Sequence, residues 1–210
     1  MTLYRTISLV AFLICFITLA YHFVRLIKLG SPKDYSLKRG NLKKAISYSL
    51  VGAMNPSKKE SAYLHLPTYT AGILYHVGTF ISVAVFFLVL FHSTVAYTLQ
   101  WILVCILIAS SVSGLGIFLK RVSVKKLRFF SNPDDYISNL LVTSFQIFTL
   151  TVLVEEAFAP YYFICAGLLF LYVPIGKLKH SLYFFAARYH LGFFYGWRGI
   201  WPAKSHRQME

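Results

Sequence analysis

Acidic side chains are scarce in this chain. Seven Asp and Glu stand among 210 residues, and charged residues of both signs reach only 13%. A soluble domain carries about 25%, because its surface must be wetted. That shortage excludes a water-soluble enzyme and a charge-rich disordered chain. Cysteine is equally sparse. Cys15, Cys105 and Cys165 all lie inside apolar runs with no C-x-x-C spacing, which excludes a disulfide scaffold and reads as small packing residues. Catalytic machinery is missing too: there is no Gly-rich phosphate loop and no nucleophile–base arrangement. Asp134 with Asp135 and Glu155 with Glu156 read as solvated caps or turn residues, so hydrolytic chemistry has no candidate groups.

Apolar residues are what the chain has, at 57% with a mean hydropathy of +0.61. A hydrocarbon core of about 30 Å needs about 20 apolar residues in a helix. Five stretches qualify: about Leu3–Leu29, Tyr69–Leu90, Ala96–Leu119, Ile137–Val154 and Tyr161–Phe185. The first is too long, and lacks the small-residue cleavage site, for a signal peptide. The predicted fold class is therefore an all-α integral membrane protein, a five-transmembrane-helix bundle forming one domain over 1–210. The fourth span is the most polar, and its Asn139, Thr143, Ser144, Gln146 and Thr149 should face other helices.

Positive charge is abundant and unevenly spread. Twenty-one Lys and Arg give a net charge of +14. They concentrate in 25–59, in 120–128 and beyond Lys177, while the His92–Tyr97 and Glu155–Pro160 turns hold none. Only Arg5 lies on the other side. The positive-inside rule then places the N-terminus outside and the C-terminus in the cytoplasm. The cationic inner face would suit anionic lipid or an acidic partner. Within the long first connection, Leu42, Ile46, Leu50 and Ala53 recur at helical spacing. This predicts an amphipathic helix over about 41–53 on the inner membrane surface, ended by Met54-Asn55-Pro56. Pro67 suits the first turn of the second span.

A polar ring inside a lipid-embedded helix needs a partner or a function. Of seven histidines, His206 lies in the polar tail, His92 near the outer surface, and His22 near the inner end of the first span. His76 sits nine residues past Pro67, about 13 Å into the second helix at 1.5 Å per residue, beside Gly72, Gly78 and Ala71. His180 falls toward the inner end of the fifth span. Two neutral imidazoles on facing helices can clamp a haem iron. They can equally be satisfied packing residues, and spacing alone leaves both readings open.

Two segments resemble a known family. One is Asn55-Pro-Ser-Lys-Lys-Glu-Ser-Ala-Tyr-Leu-His-Leu-Pro-Thr-Tyr-Thr-Ala-Gly-Ile-Leu-Tyr-His76-Val-Gly, and the other Tyr172-Val-Pro-Ile-Gly-Lys-Leu-Lys-His180-Ser. Together with the five-span layout they resemble the cytochrome b membrane subunit of respiratory nitrate reductase, its gamma subunit, and the related heterodisulfide-reductase-like quinol-linked subunits. The most specific parts are His-Val-Gly and Pro-x-x-Lys-Leu-x-His. The resemblance implies that His76 and His180 are the axial ligands of one haem b. It also implies electron transfer between menaquinone or menaquinol and a cytoplasmic iron–sulfur subunit, in the cytoplasmic (inner) membrane. The chain departs from the two-haem pattern, because the second histidine pair falls near Phe86 and Tyr162. His65 and His190 offer a weaker second pair. The aromatic and arginine-bearing tail, Phe193, Phe194, Tyr195, Trp197, Arg198 and Trp201, is expected to dock the partner. Two competitors stand against this reading. One is a haem-free anchor or assembly subunit of a redox complex. The other is a small transporter, which lacks paired intramembrane charges and interrupted helices in matched halves.

Overall fold

The computed structural model describes the chain except residues 1, 31–33, 57–61, 63, 94 and 203–210. His206 and the 57–61 segment therefore lie outside the described residues. The described residues are helical, with no strands among them. In chain order the helices are α1 (Leu3–Leu29), α2 (Leu42–Leu50), α3 (Leu66–Leu90), α4 (Tyr97–Ser123), α5 (Lys125–Phe129), α6 (Pro133–Val154), α7 (Ala159–Tyr172) and α8 (His180–Trp197). Four of them, α1, α3, α4 and α6, are long and apolar enough to cross a membrane. A fifth exists only if α7 and α8 are taken as one broken span.

That break corrects the expected fifth span over Tyr161–Phe185. The helix stops at Tyr172, and a new one opens at His180. Pro174 has no N–H to donate and its ring crowds the preceding turn, so the chain cannot run on as a helix. The amides of Ile175 and Gly176 both return to the Tyr172 carbonyl, at 3.1 and 2.8 Å, and turn the chain. His180 is consequently the first residue of α8 rather than an interior residue of a long helix.

The chain divides into two compact units. The first comprises Met1–Phe16 and His65–Leu178, the second Ile17–Leu64 and Lys179–Glu210.

In the first unit the core is aromatic. Phe86 and Phe170 meet edge to face at 4.9 Å, and Phe145 stacks on Tyr162 at 5.6 Å with the rings 9° from parallel. Phe12 and Phe163 close the cluster. Outward faces stay apolar: Ile7, Phe80, Ile102 and Leu140 are all exposed, which suits a lipid solvent. Charge is confined to the two ends. At one end Arg5 of α1 meets His92 after α3 and Glu156 before α7. At the other, Asp135 pairs with Arg121 at 3.0 Å and with Lys177, and Lys120 reaches the Thr68 hydroxyl at 2.8 Å. Asp134 and Asp135 are thus not simply solvated. Asp135 is buried and closes a capping box with Asn132 that starts α6, while Asp134 accepts from Tyr172 and Ser138.

In the second unit α2 begins at Asn41, whose side chain accepts the Lys44 amide at 3.1 Å. The helix predicted over 41–53 is therefore present, shortened to Leu42–Leu50 and followed by a 3-10 turn over Gly52–Met54. Its buried face is not the leucine stripe but Ala45 and Ser49, which pack on α8. Gly192 and Gly196 make this possible: a Cβ at 192 would stand 2.6 Å from the Ile46 Cα, and one at 196 would stand 2.5 Å from the Ala45 Cβ. Two backbones at that separation need small residues. The Ser49 hydroxyl donates to the Arg188 carbonyl at 2.7 Å.

Candidate functional site

His76 lies on α3, where every other side chain is apolar or carries at most a hydroxyl. Side chains on a helix lean toward its N-terminus, so the imidazole of residue 76 falls over residue 72. Its Nδ1 stands 2.6 Å from the Gly72 carbonyl oxygen, the distance of an N–H donated to a peptide carbonyl. That bond selects one tautomer and leaves the lone pair on Nε2. The residue is exposed. A Cβ built on Gly72 would meet nothing within 4 Å, so the space beside the ring is open.

The neighbouring small residue behaves differently. A Cβ at Gly78 would collide with Ser110, so that glycine serves close packing of α3 on α4. Open space is therefore present at Gly72 and absent at Gly78.

Behind His76, on the buried face of α3, stands a polar network that the sequence placed on the fourth span without naming its partners. Gln146 is fully buried. Its amide donates to the Tyr75 carbonyl at 3.0 Å and to the Thr79 hydroxyl at 2.9 Å, and its Oε1 accepts from Ser110 at 2.8 Å. The Tyr75 hydroxyl lies 3.0 Å from both the Asn139 carbonyl and the Thr143 hydroxyl. These bonds lock the register of α3 against α4 and α6, and hence fix the direction in which His76 looks. Tyr75 was missed by sequence reasoning. Its only signal was adjacency to His76, since consecutive helical residues stand about 100° apart and a neighbour of an exposed residue can turn inward.

His180 opens α8 between Lys179 and Ser181 and is exposed. His76 belongs to the first unit and His180 to the second. His65 caps α3 from outside the helix, as Pro67 led one to expect. His190 is engaged in packing: its Nε2 lies 3.2 Å from the Leu26 carbonyl, and its ring covers Gly30. His22 is half-buried against Tyr21.

The positions of the second histidine pair in the resemblance, Phe86 and Tyr162, are both fully buried, with ring centroids 6.5 Å apart. Phe145, Phe163 and Phe170 surround them. This packing leaves no slot for a macrocycle. The aromatic tail is also committed within its own unit. Trp197 donates from Nε1 to the Ser36 carbonyl at 2.7 Å, Trp201 packs on Tyr48 and Tyr195, and Arg198 pairs with Asp34 at 2.8 Å while lying over the Phe194 ring. Asp34 lies outside the spans. Its carboxyl is held below the usual carboxylate range, first by the Ser36 hydroxyl and amide and then by Arg198.

Among the described residues no three of His, Cys, Asp and Glu gather to hold a metal ion. A bis-histidine haem requires only two imidazoles. No family model, no curated protein and no solved structure matches the chain.

Proposed function

We propose that the chain is the haem b membrane subunit of a respiratory oxidoreductase complex, passing electrons between menaquinone or menaquinol and a cytoplasmic iron–sulfur subunit. One observation carries the reading. His76 is exposed and presents a tautomer fixed by the Gly72 carbonyl, beside open space at Gly72, in a helix that otherwise carries only apolar and hydroxyl side chains. An imidazole with that exposure needs a partner, and a donated Nδ1–H is the arrangement that metal-ligating histidines adopt. In this reading His180 would also hold the haem, on the strength of the Pro-x-x-Lys-Leu-x-His motif.

Bound haem would supply a one-electron carrier, letting the two electrons of a quinol leave singly. The chain's own part is to bind and orient. His76 would offer the iron an imidazole nitrogen, Gly72 fixes that ring and leaves it room, and the Gln146–Tyr75 network holds the helix behind it. Membrane sidedness follows the charge distribution, with Lys120, Arg121 and Lys177 toward the cytoplasm. The competing reading, a haem-free anchor, drew on a polar fourth span free to grip partner helices. Those polar groups are consumed inside the chain, which favours the haem reading.

The test is a reduced-minus-oxidised visible spectrum of the purified chain with haem stoichiometry. One low-spin b haem per chain is expected. It should be lost in His76→Ala and in His180→Ala, and kept in His65→Ala. A chain without haem after expression with adequate haem supply overturns the proposal, and so does a spectrum indifferent to His76.

A further inference from the structure

The charged end of the first unit around Arg5 is not used by the reading above. Arg5 is only 4% exposed although it sits three residues into α1, at the level where a spanning helix meets the headgroups. Its guanidinium contacts the His92 ring with one terminal nitrogen, and the other stands 3.8 Å from the Glu156 carboxylate. The remaining donor, Nε, is buried without a partner. A buried cationic N–H left unpaired carries a desolvation cost that an anionic oxygen would remove. Glu156 is the reverse case: its side chain is 82% exposed, so its carboxylate faces outward with most of its charge unspent.

Beside these groups lies an open apolar groove of about 550 Å³ between α1 and α7. Tyr4 and Phe163 form its head, and the Arg5 guanidinium lies over that same Phe163 ring at 5.5 Å. From there it runs past Ile7, Val10 and Ile14, with Gly167 as part of its floor. Residues 3 to 14 of α1 cover about 16 Å at 1.5 Å per residue, a length suited to a hydrocarbon chain lying along the helix.

We propose that this end of the unit holds a zwitterionic, amine-headed phospholipid of the phosphatidylethanolamine type. One acyl chain occupies the α1–α7 groove, the phosphate takes the orphan Nε–H of Arg5, and the primary ammonium pairs with Glu156. The charge pattern selects this occupant. A buried cation and an exposed anion side by side match a phosphate and an ammonium two carbons apart. An anionic lipid leaves Glu156 facing like charge, and a quinone has no cation for it.

Lipid retention read by native mass spectrometry of the full chain tests the proposal. The chain is first purified in detergent and then equilibrated with phosphatidylethanolamine, phosphatidylglycerol, menaquinone or inorganic phosphate. The wild type should keep one phosphatidylethanolamine, at least tenfold in preference to phosphatidylglycerol. Arg5→Ala and Gly167→Leu should each cut retention about tenfold or more, the first by removing the donor and the second by filling the groove. Gly167→Ala should keep it, because that Cβ meets Ser8 and Ala11 at ordinary distances of 3.7–4.0 Å. Glu156→Gln should retain lipid but lose the preference for the amine head. Thermal unfolding of each variant identifies any that fails to fold, in which case the Glu156→Gln selectivity decides. The proposal is overturned by equal retention of both phospholipids, by retention of menaquinone instead, by stabilisation with inorganic phosphate alone, or by retention indifferent to Gly167→Leu. None of these readouts depends on haem.

Discussion

Replacing Gly72 by leucine separates a cofactor space from empty lipid-facing surface. The Gly72 carbonyl, which fixes the His76 tautomer, survives the substitution because it belongs to the backbone. The protein offers no resistance either, since a Cβ there meets nothing within 4 Å. Leucine is also the better helix former, by about 0.8 kcal/mol, so α3 should hold or gain stability. A porphyrin on the His76 Nε2 would not be so tolerant. In the proposed site it would share the turn N-terminal to residue 76, which is the turn of residue 72. Forcing a branched side chain beneath it resembles overpacking a core, at about 1–3 kcal/mol, which lowers haem affinity about 5- to 150-fold. Gly116 on α4 supplies the control, being equally open and distant in role. Haem per chain and thermal midpoint should be read together on Gly72→Leu, Gly116→Leu and the wild type. Loss of haem in the first alone, with an unchanged or higher midpoint, is expected. A full complement of wild-type haem in Gly72→Leu would refute the placement of the cofactor over this turn.

Gln146→Leu removes three buried hydrogen bonds. At about 0.6 kcal/mol each inside a membrane protein, the cost should be about 2 kcal/mol in a denaturant titration in mixed micelles, against none for exposed Ile147→Leu. Gly192→Ala sets a Cβ 2.6 Å from the Ile46 backbone and should cost about 1–3 kcal/mol. Amide exchange at Ser49 and Arg188 should rise with it, and an unchanged exchange rate would contradict the close α2–α8 approach. Asp34 gives a pH signature. Its folded-state carboxyl titrates below the ordinary value, so its contribution is complete above the ordinary carboxylate range and is lost as pH falls through the depressed value. The Arg39 amide, bonded to the Trp197 carbonyl at 2.8 Å, should therefore exchange faster only in acid, and Asp34→Asn should abolish that pH dependence.

The long helices were legible because lipid imposes one rule on them, an unbroken apolar run, and runs of 22 to 27 residues leave little to decide. The first came out at Leu3–Leu29 as read, and the second, third and fourth grew by only a few residues at their ends, where caps such as the Asn132–Asp135 box outlast the apolar stretch. Hydropathy failed at Pro174, since it averages over a window and does not register a missing N–H. It also misjudged α2, where the leucine stripe was the visible pattern but the glycines of α8, 150 residues away, decided which face is buried. Sequence distance explains the site as well. His76 stands out in the sequence because an isolated imidazole in an apolar run is conspicuous, and Gly72 because it is small and near. The orientation of that ring depends on Gln146, Ser110 and Thr143, hydroxyl and amide groups that look like ordinary packing until their partners are known. Arg5 is the sharpest case: one cation at the start of an apolar helix reads as a topology marker, and only its burial against Phe163 with an unpaired Nε turns it into a candidate ligand-binding group.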